Sequence, residues 1–484
     1  MLKGVCTVDH FLSIDCGLTK VKANIFTADG NMVAESVQDT PLCNFVVNTA
    51  SLREKVVGLV KDVLSGSNFD AESIKAISTS GHGNGLYLLC DDGIFESGYS
   101  SMFADSAPYT PPTDVVFDIT NQTSWSGQPL PILSYLKNEK SDVFGRIQKI
   151  LFCKDVIKYF ITGRAVTDYT DASAAGVLDY RTASYGEELL NCYGLVGCMH
   201  LLPDICSSVD VIGTVSEEFA KESGLSVNTQ VLGGMFDVNA CMLGAGVVTP
   251  DKYCIIGGTW GINSAVTESY ISSKGITQCC NFLTPDCYMC IDSAPTSCTN
   301  LEWFLKNILR ESDYKAADEI VQNQPIDPNL LYLPYIYSAS DVGAPGSFIG
   351  LNANHTYRDM LRAVYEGIVF EHARRIEKLK SAGIIFDTAV LTGGAANGAV
   401  LCQMFADVTG LKILTVEQSQ TGSLGGAIVG ATASGVYSSI AEAAGNMVHY
   451  KKCYYPENIS AYTAKYNLFK ETIYKNANLK GTQK

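Results

Sequence analysis

Two short segments about 240 residues apart are built on one plan, and their likeness constrains this 484-residue chain more than any other feature. The first is Asp15-Cys16-Gly17-Leu18-Thr19, with Lys22 three residues on; the second is Gly257-Gly258-Thr259-Trp260-Gly261. Each reads as strand, Gly/Thr turn, strand, because β-branched and apolar residues flank it over 11–28 and 252–266. A glycine turn lets backbone N–H groups approach an anion, and a hydroxyl with a carboxylate beside it suits a phosphate plus Mg²⁺. One isolated copy would be read as an ordinary Asp-x-Gly turn with no ligand. Two copies fit two related domains whose hairpins clamp a phosphate chain in a shared cleft.

The rest of the chain alternates between strand and helix patterns, which predicts an α/β protein. Helices are expected over 50–65, 153–163, 299–310, 356–381 and 398–409, and a Gly-rich helix start at 421–426. Strands are expected at 74–79, 85–90, 389–392 and 411–416, while 100–150 reads as an elaboration and 167–173 as a polar loop. Thr249-Pro250-Asp251 interrupts the pattern, so the predicted division is 1–248 and 249–484.

Composition narrows the class of function. Hydrophobic residues are 46% and charged residues 18%, enough to bury a large core and too apolar for a disordered chain. The net charge of −15 speaks against nucleic acid or an anionic membrane as the main partner, but not against one phosphorylated ligand in a local pocket. The N-terminal residues lack a signal-peptide pattern and no run of 18 apolar residues occurs, so a cytoplasmic protein is expected, with a homodimer allowed. Seventeen cysteines then read as reduced thiols. Cys279, Cys280, Cys287 and Cys290 invite a zinc reading, but one pair is adjacent and the other sits in a strand-like run, so buried or edge-strand thiols are expected.

Two further glycine clusters carry chemistry. Thr392-Gly393-Gly394-Ala395-Ala396-Asn397 ends a strand and opens a helix, where a polar ligand group and a flat ring could be accommodated. Neither GxxxxGK[ST] nor a strand-following GxGxxG occurs, so P-loop and Rossmann readings fail. Gly233-Gly234-Met235-Phe236-Asp237 places an Asp at an apolar helix start, a costly position unless its charge is used or paired. From these residues alone, a helix cap and a catalytic carboxylate are equally good readings of Asp237. Ser80-Gly81-His82-Gly83-Asn84-Gly85 reads by itself as a Gly-rich turn with an incidental His.

Taken together these motifs resemble the FGGY family of carbohydrate kinases. The resemblance rests on Asp15, Gly17, Thr19 and Lys22; on Gly258, Thr259 and Gly261; and on Gly393, Gly394, Ala395 and Asn397 with the 403–410 stretch. Residues 346–350 and 358–367 are similar to the family's C-terminal signature, and 153–163 to another of its segments. The motifs span about 11–440 in the family's order, closest to its L-xylulose and xylulose kinases. What the resemblance implies is two actin-like (ribonuclease H-like) ATPase domains facing an interdomain cleft, with ATP and Mg²⁺ as cofactors and a small sugar as substrate. It implies phosphate and adenosine contacts at the residues just named, Asp237 as general base, and Mg²⁺ held near Asp15 and Asp237 through water. It also implies sugar contacts at His82, Gly83, Asn84, Asp105 and Asp237, although an Arg usual two residues after Asp105 is Ala107 here. Trp125 or Trp303 could wall the sugar pocket, and a Trp on a helix is equally a core residue. The implied reaction is phosphorylation of a pentulose such as L-xylulose. D-xylulose, glycerol and erythritol are alternatives, as is a non-catalytic sugar sensor, which would have no need of Asp15, Thr19 and Asp237.

Overall fold

Phe11, Leu12 and Ile14 follow one another in a strand with no exposed face, as a strand covered on both sides requires. That strand, β1 (His10–Cys16), is the middle of a sheet. On one side β2 (Lys20–Thr27) and β3 (Met32–Asp39) continue from it as an antiparallel meander. On the other side β4 (Ile74–Gly81) runs parallel to it. At the far edge of this sheet lie β5 (Val211–Thr214), β6 (Gln230–Leu232) and β7 (Met235–Phe236), with β6 and β7 parallel to β4. The register sets Asp15 opposite Lys22 and Ser80. The computed structural model describes residues 9–66, 70–93, 95–310, 313–337, 341 and 343–477.

The second half repeats this plan. Its middle strand β8 (Tyr253–Gly257) pairs antiparallel with β9 (Gly261–Thr267), which pairs antiparallel with β11 (Thr284–Ala294).

 Strand β10 covers Gln278–Phe282 and sits at the edge of the sheet. On the other side of β8, β12 (Thr388–Thr392) and β13 (Lys412–Val416) run parallel to it, and β14 (Tyr450–Tyr454) closes the edge. A three-stranded meander on one side of a central strand and parallel strands on the other, present twice, is the actin-like arrangement expected from the sequence.

The helices expected from periodicity are present as α1 (Thr49–Ser65), α2 (Cys153–Thr162), α5 (Thr299–Phe304), α6 (Tyr357–Ser381), α7 (Ala399–Thr409) and α8 (Thr421–Ala433). Between them lie α3 (Tyr169–Ala174) and α4 (Asp237–Gly244). In α1, Asn48 accepts from the Ser51 N–H as N-cap, and Leu52, Val56, Leu59, Val60 and Val63 face inward at helical spacing.

Three expectations need correction. Residues 299–310 are not one α-helix: after Phe304 the chain widens into a π-helical turn over Leu305–Leu309. The elaboration at 100–150 also contributes a strand, Ile147–Leu151, to a separate five-stranded sheet. The polar stretch 167–173 is not a surface loop. Asp168 ends a strand, caps α3 by accepting from the Thr170 and Asp171 N–H groups, and is fully buried with Asp171. Its polarity is tolerated because Lys154 from α2 meets both carboxylates there.

The glycines of α8 do specific work at the contact between the halves. A Cβ on Gly425 would lie 2.0 Å from the Ala240 carbonyl oxygen, and one on Gly244 would lie 1.8 Å from that of Thr421. Over β1, a Cβ on Gly426 would lie 2.3 Å from the Ser13 hydroxyl, and one on Gly430 would lie 3.1 Å from the Phe11 ring. A helix from the end of the chain thus covers the first sheet and touches the backbone of α4. The sixteen described cysteines are all free thiols. Cys279 and Cys290 face each other across β10 and β11 with their sulfurs 3.3 Å apart, and among the described residues no group of three or more His, Cys, Asp or Glu could hold a metal. Among the same residues, no helix is long and apolar enough to cross a membrane.

Candidate active site

β1 and β4 are parallel neighbours, so their C-terminal ends bring Asp15 and Ser80 side by side. The Ser80 hydroxyl donates to Asp15 Oδ1 at 2.7 Å. The turn after β1 is closed by Gly17 N–H donating to the Lys20 carbonyl at 2.9 Å, and it leaves Thr19 exposed. Lys22 donates its ammonium to Gln420 Oε1 of the second half at 2.9 Å, so in this state it bridges the halves.

β7 ends one position before Asp237, which opens α4. Its carboxyl is closely surrounded by protein although part of the residue is open. Burial raises its pKa to about 8, with Asp15 and Asp171 pushing the same way and His82 opposing them. Asp237 and Asp15 therefore repel each other, and a cation between them would relieve that repulsion.

The turn expected to read the sugar lies against this carboxylate. The Phe236 ring crosses Gly83 so closely that a Cβ there would sit 2.3 Å from the ring. Asn84 holds the left-handed conformation (φ 62°), and its buried Oδ1 has no hydrogen-bond partner. An unpartnered buried acceptor is a place for a ligand hydroxyl. His82 is turned inward, its Nε2 3.1 Å from the Tyr87 hydroxyl and its ring beside Cys153. Burial would lower its pKa, but Cys153 and then Asp237 outweigh that and bring it to about 9. Asp105 is exposed and lines an open hollow of about 630 Å³ with Tyr109 and Tyr135.

In the second half the two remaining glycine clusters meet. A Cβ on Gly257 would lie 2.5 Å from the Ala395 Cβ, and Gly393, at φ 80°, packs against the Gly257 carbonyl. Gly258, Thr259, Gly394, Ala395 and Asn397 line a cavity of about 610 Å³. Gly261 sits apart from its lining, buried over the His372 ring. That volume suits a nucleoside. The sequence reading missed part of its wall: Asp318, which accepts from the Tyr365 hydroxyl at 2.8 Å, and Glu302. Neither belongs to a glycine cluster, and nothing in their spacing marks them. It also missed the buried group Lys154, Asp155, Lys158, Asp168 and Asp171, which the composition of 153–171 does signal through charges set among apolar residues.

Two like glycine turns, a cavity of nucleoside volume and a closely surrounded carboxylate on an actin-like fold are the arrangement expected of a sugar kinase. Models of the N-terminal and C-terminal domains of the FGGY family of carbohydrate kinases match residues 110–244 and 253–434, together about two-thirds of the chain. The chain belongs to that family, whose members use ATP as phosphate donor. It is 27% identical to a probable L-xylulose kinase of Pasteurella multocida, over 96% of this chain and 98% of that one. It is 26% identical to an L-xylulose/3-keto-L-gulonate kinase of Escherichia coli, over 96% of each. The solved structure of a xylulose kinase from Lactobacillus acidophilus superposes with a TM-score of 0.88 at 22% identity, covering 98% of this chain and 99% of that one.

Proposed function

We propose that the chain phosphorylates a pentulose, with L-xylulose as the first candidate, and that Asp237 is the general base. The observation that carries this reading is the pairing of Asp237 and Asp15 beside the turn holding Asn84. Similarity to the two L-xylulose kinases supports the sugar, and the second name printed for the Escherichia coli relative adds 3-keto-L-gulonate as the next candidate.

In this reading the division at 248/249 separates a sugar-binding half from a nucleotide-binding half. The sugar lies against Gly83 and Asn84 with one hydroxyl facing Asp237, and His82 acts from behind by holding positive charge near that carboxylate. Asp105 belongs to the sugar side only if the open hollow it lines closes on ligand binding. Thr19 and Thr259 offer hydroxyl donors to the phosphate chain, Gly17, Gly258 and Gly261 shape the turns that let it approach, and Lys22 joins them on leaving Gln420. Gly393, Gly394, Ala395 and Asn397 receive the adenosine. Mg²⁺, when bound with the nucleotide, supplies positive charge beside Asp15 and Asp237, through water. The repulsion between those two carboxylates and the Ser80 bond that orients one of them fit such a group. Asp237 then accepts the hydroxyl proton while the sugar oxygen attacks the terminal phosphorus, whose bond to the bridging oxygen breaks as ADP leaves. The use of ATP supports a cytoplasmic reaction.

A coupled ADP-release screen over pentuloses, hexuloses, 3-keto sugar acids and polyols tests the substrate. L-xylulose should give the highest kcat/KM. Turnover confined to glycerol or erythritol would overturn the pentulose reading, and no turnover with any sugar would favour a sensor. Asp237→Asn should abolish transfer while nucleotide binding persists; full activity would remove Asp237 from the mechanism.

A further inference from the structure

The five buried ionic residues that the reaction above does not use are connected to the loop that carries its base. Helix α2 brings in Lys154, Asp155 and Lys158; Asp168 and α3 bring in Asp168 and Asp171, and all five are fully buried. Lys154 Nζ is the hub, 2.5 Å from Asp155, 2.9 Å from Asp168 and 3.0 Å from Asp171. Lys158 Nζ lies 2.9 Å from Asp155 and also donates to the Gly233 carbonyl. Asp168 Oδ2 accepts from the hydroxyls of Thr170 and Ser208, each at 2.7 Å. With its proton committed to Asp168, the Thr170 oxygen accepts from the Phe236 N–H at 2.8 Å.

The loop 233–236 is therefore gripped at both ends, at the Gly233 carbonyl by Lys158 and at the Phe236 amide by Thr170. Gly234 between them adopts φ 71°, and a Cβ there would lie 2.5 Å from the Thr79 carbonyl oxygen, so the loop has little room to move. The next residue is Asp237. Buried ion pairs are a poor source of net stability, since desolvation offsets their attraction. A cluster of five is better accounted for by what it holds in place.

Resting on the reading of Asp237 as base, we propose that the Lys154–Asp155–Lys158–Asp168 cluster, acting through Thr170, is the positioning device for Asp237. Thr170 and Lys158 are its two contacts with the base loop, and neither touches substrate.

The test compares Thr170→Val, which leaves the Phe236 N–H without an acceptor, with Thr170→Ser, which keeps one. Full-length enzyme is assayed with Mg-ATP and L-xylulose. Thr170→Val should lower kcat about 10²-fold, the usual penalty for roughly 1 Å of misplacement, with KM for ATP unchanged. Thr170→Ser should recover kcat to within a few-fold. An unchanged kcat in Thr170→Val, or a Thr170→Ser no better than the valine variant, overturns the proposal. Should Thr170→Val be insoluble, Lys158→Arg makes the test at the other end: kcat falls with KM for ATP unchanged if the cluster positions the base, and an unchanged kcat overturns it. Asp237→Asn separates the two readings. An active Asp237→Asn removes the base itself, whereas an inactive one beside a fully active Thr170→Val removes only the positioning role.

Discussion

Replacing Gly425 by alanine tests how tightly the two halves are joined beneath the site. In an exposed helix the change would stabilise by about 1 kcal/mol, because glycine is the poorer helix former. In α8 the new Cβ would lie 2.0 Å from the Ala240 carbonyl oxygen and 2.8 Å from its carbon. Both are backbone atoms, so no side-chain rotation relieves the clash. Ordinary contact begins near 3.4 Å, so α8 and α4 must separate by about 1.4 Å. Overpacking of this kind costs roughly 1–3 kcal/mol, which leaves a net loss of up to about 2 kcal/mol after the propensity gain. For domains of this size that lowers Tm by up to about 8 °C. Because α4 begins at Asp237, the same displacement should reduce kcat by about 10²-fold. Calorimetry and a coupled ADP assay measure both effects. Gly445→Ala is the control: nothing lies within 4 Å of its Cβ position, so Tm should rise slightly with kcat unchanged. A Gly425→Ala enzyme that melts above the parent and keeps its kcat would refute the reasoning.

Three further outcomes are expected. A carboxyl raised to about 8 is protonated below that pH and accepts a proton only above it, so kcat/KM should rise with pH through about 8; a profile flat from pH 6 to 9 would contradict this. His372 is held near pKa 4 by burial, its ring between Ser297 at 2.8 Å and Asn263 at 2.9 Å. Below pH 6.5 the unfolded chain takes up a proton that the folded one refuses, so stability should fall by roughly 2 kcal/mol between pH 7 and 5. Denaturant melts should show that slope reduced in His372→Gln. Asn84→Gly keeps the left-handed turn but removes the unpartnered oxygen, and should raise KM for the sugar about tenfold with KM for ATP unchanged.

Repetition made the fold legible in the sequence. Glycine at 393 marks a place where backbone closely approaches backbone, at Gly257, and apolar periodicity located α1, α6 and α7 within a residue or two. Asp237 was visible as a charge at an apolar helix start. What could not be read was partnership across long separations. Nothing local tells that Lys22 reaches Gln420, nearly 400 residues on, or that Asp318 walls the nucleoside cavity. The stretch 167–173 was misread because its charges resemble those of a solvated loop until Lys154 is placed among them. His82 was expected to face a sugar, but Tyr87 and Cys153 hold it inward, a choice made by tertiary neighbours and not by its own turn.

The seating of α8 on β1 has a consequence for how the chain is made. Residues 421–433 supply Leu424, Ala427 and Ile428 to the same apolar cluster as Phe11, Phe26 and Ala76. On the ribosome the first sheet therefore emerges with one apolar face bare, and it stays bare until residues 421–433 have been synthesised. Domains usually fold as they appear, N-terminal first. Here the first half must wait for a helix made some 400 residues later, with its open face a target for chaperones in the interval.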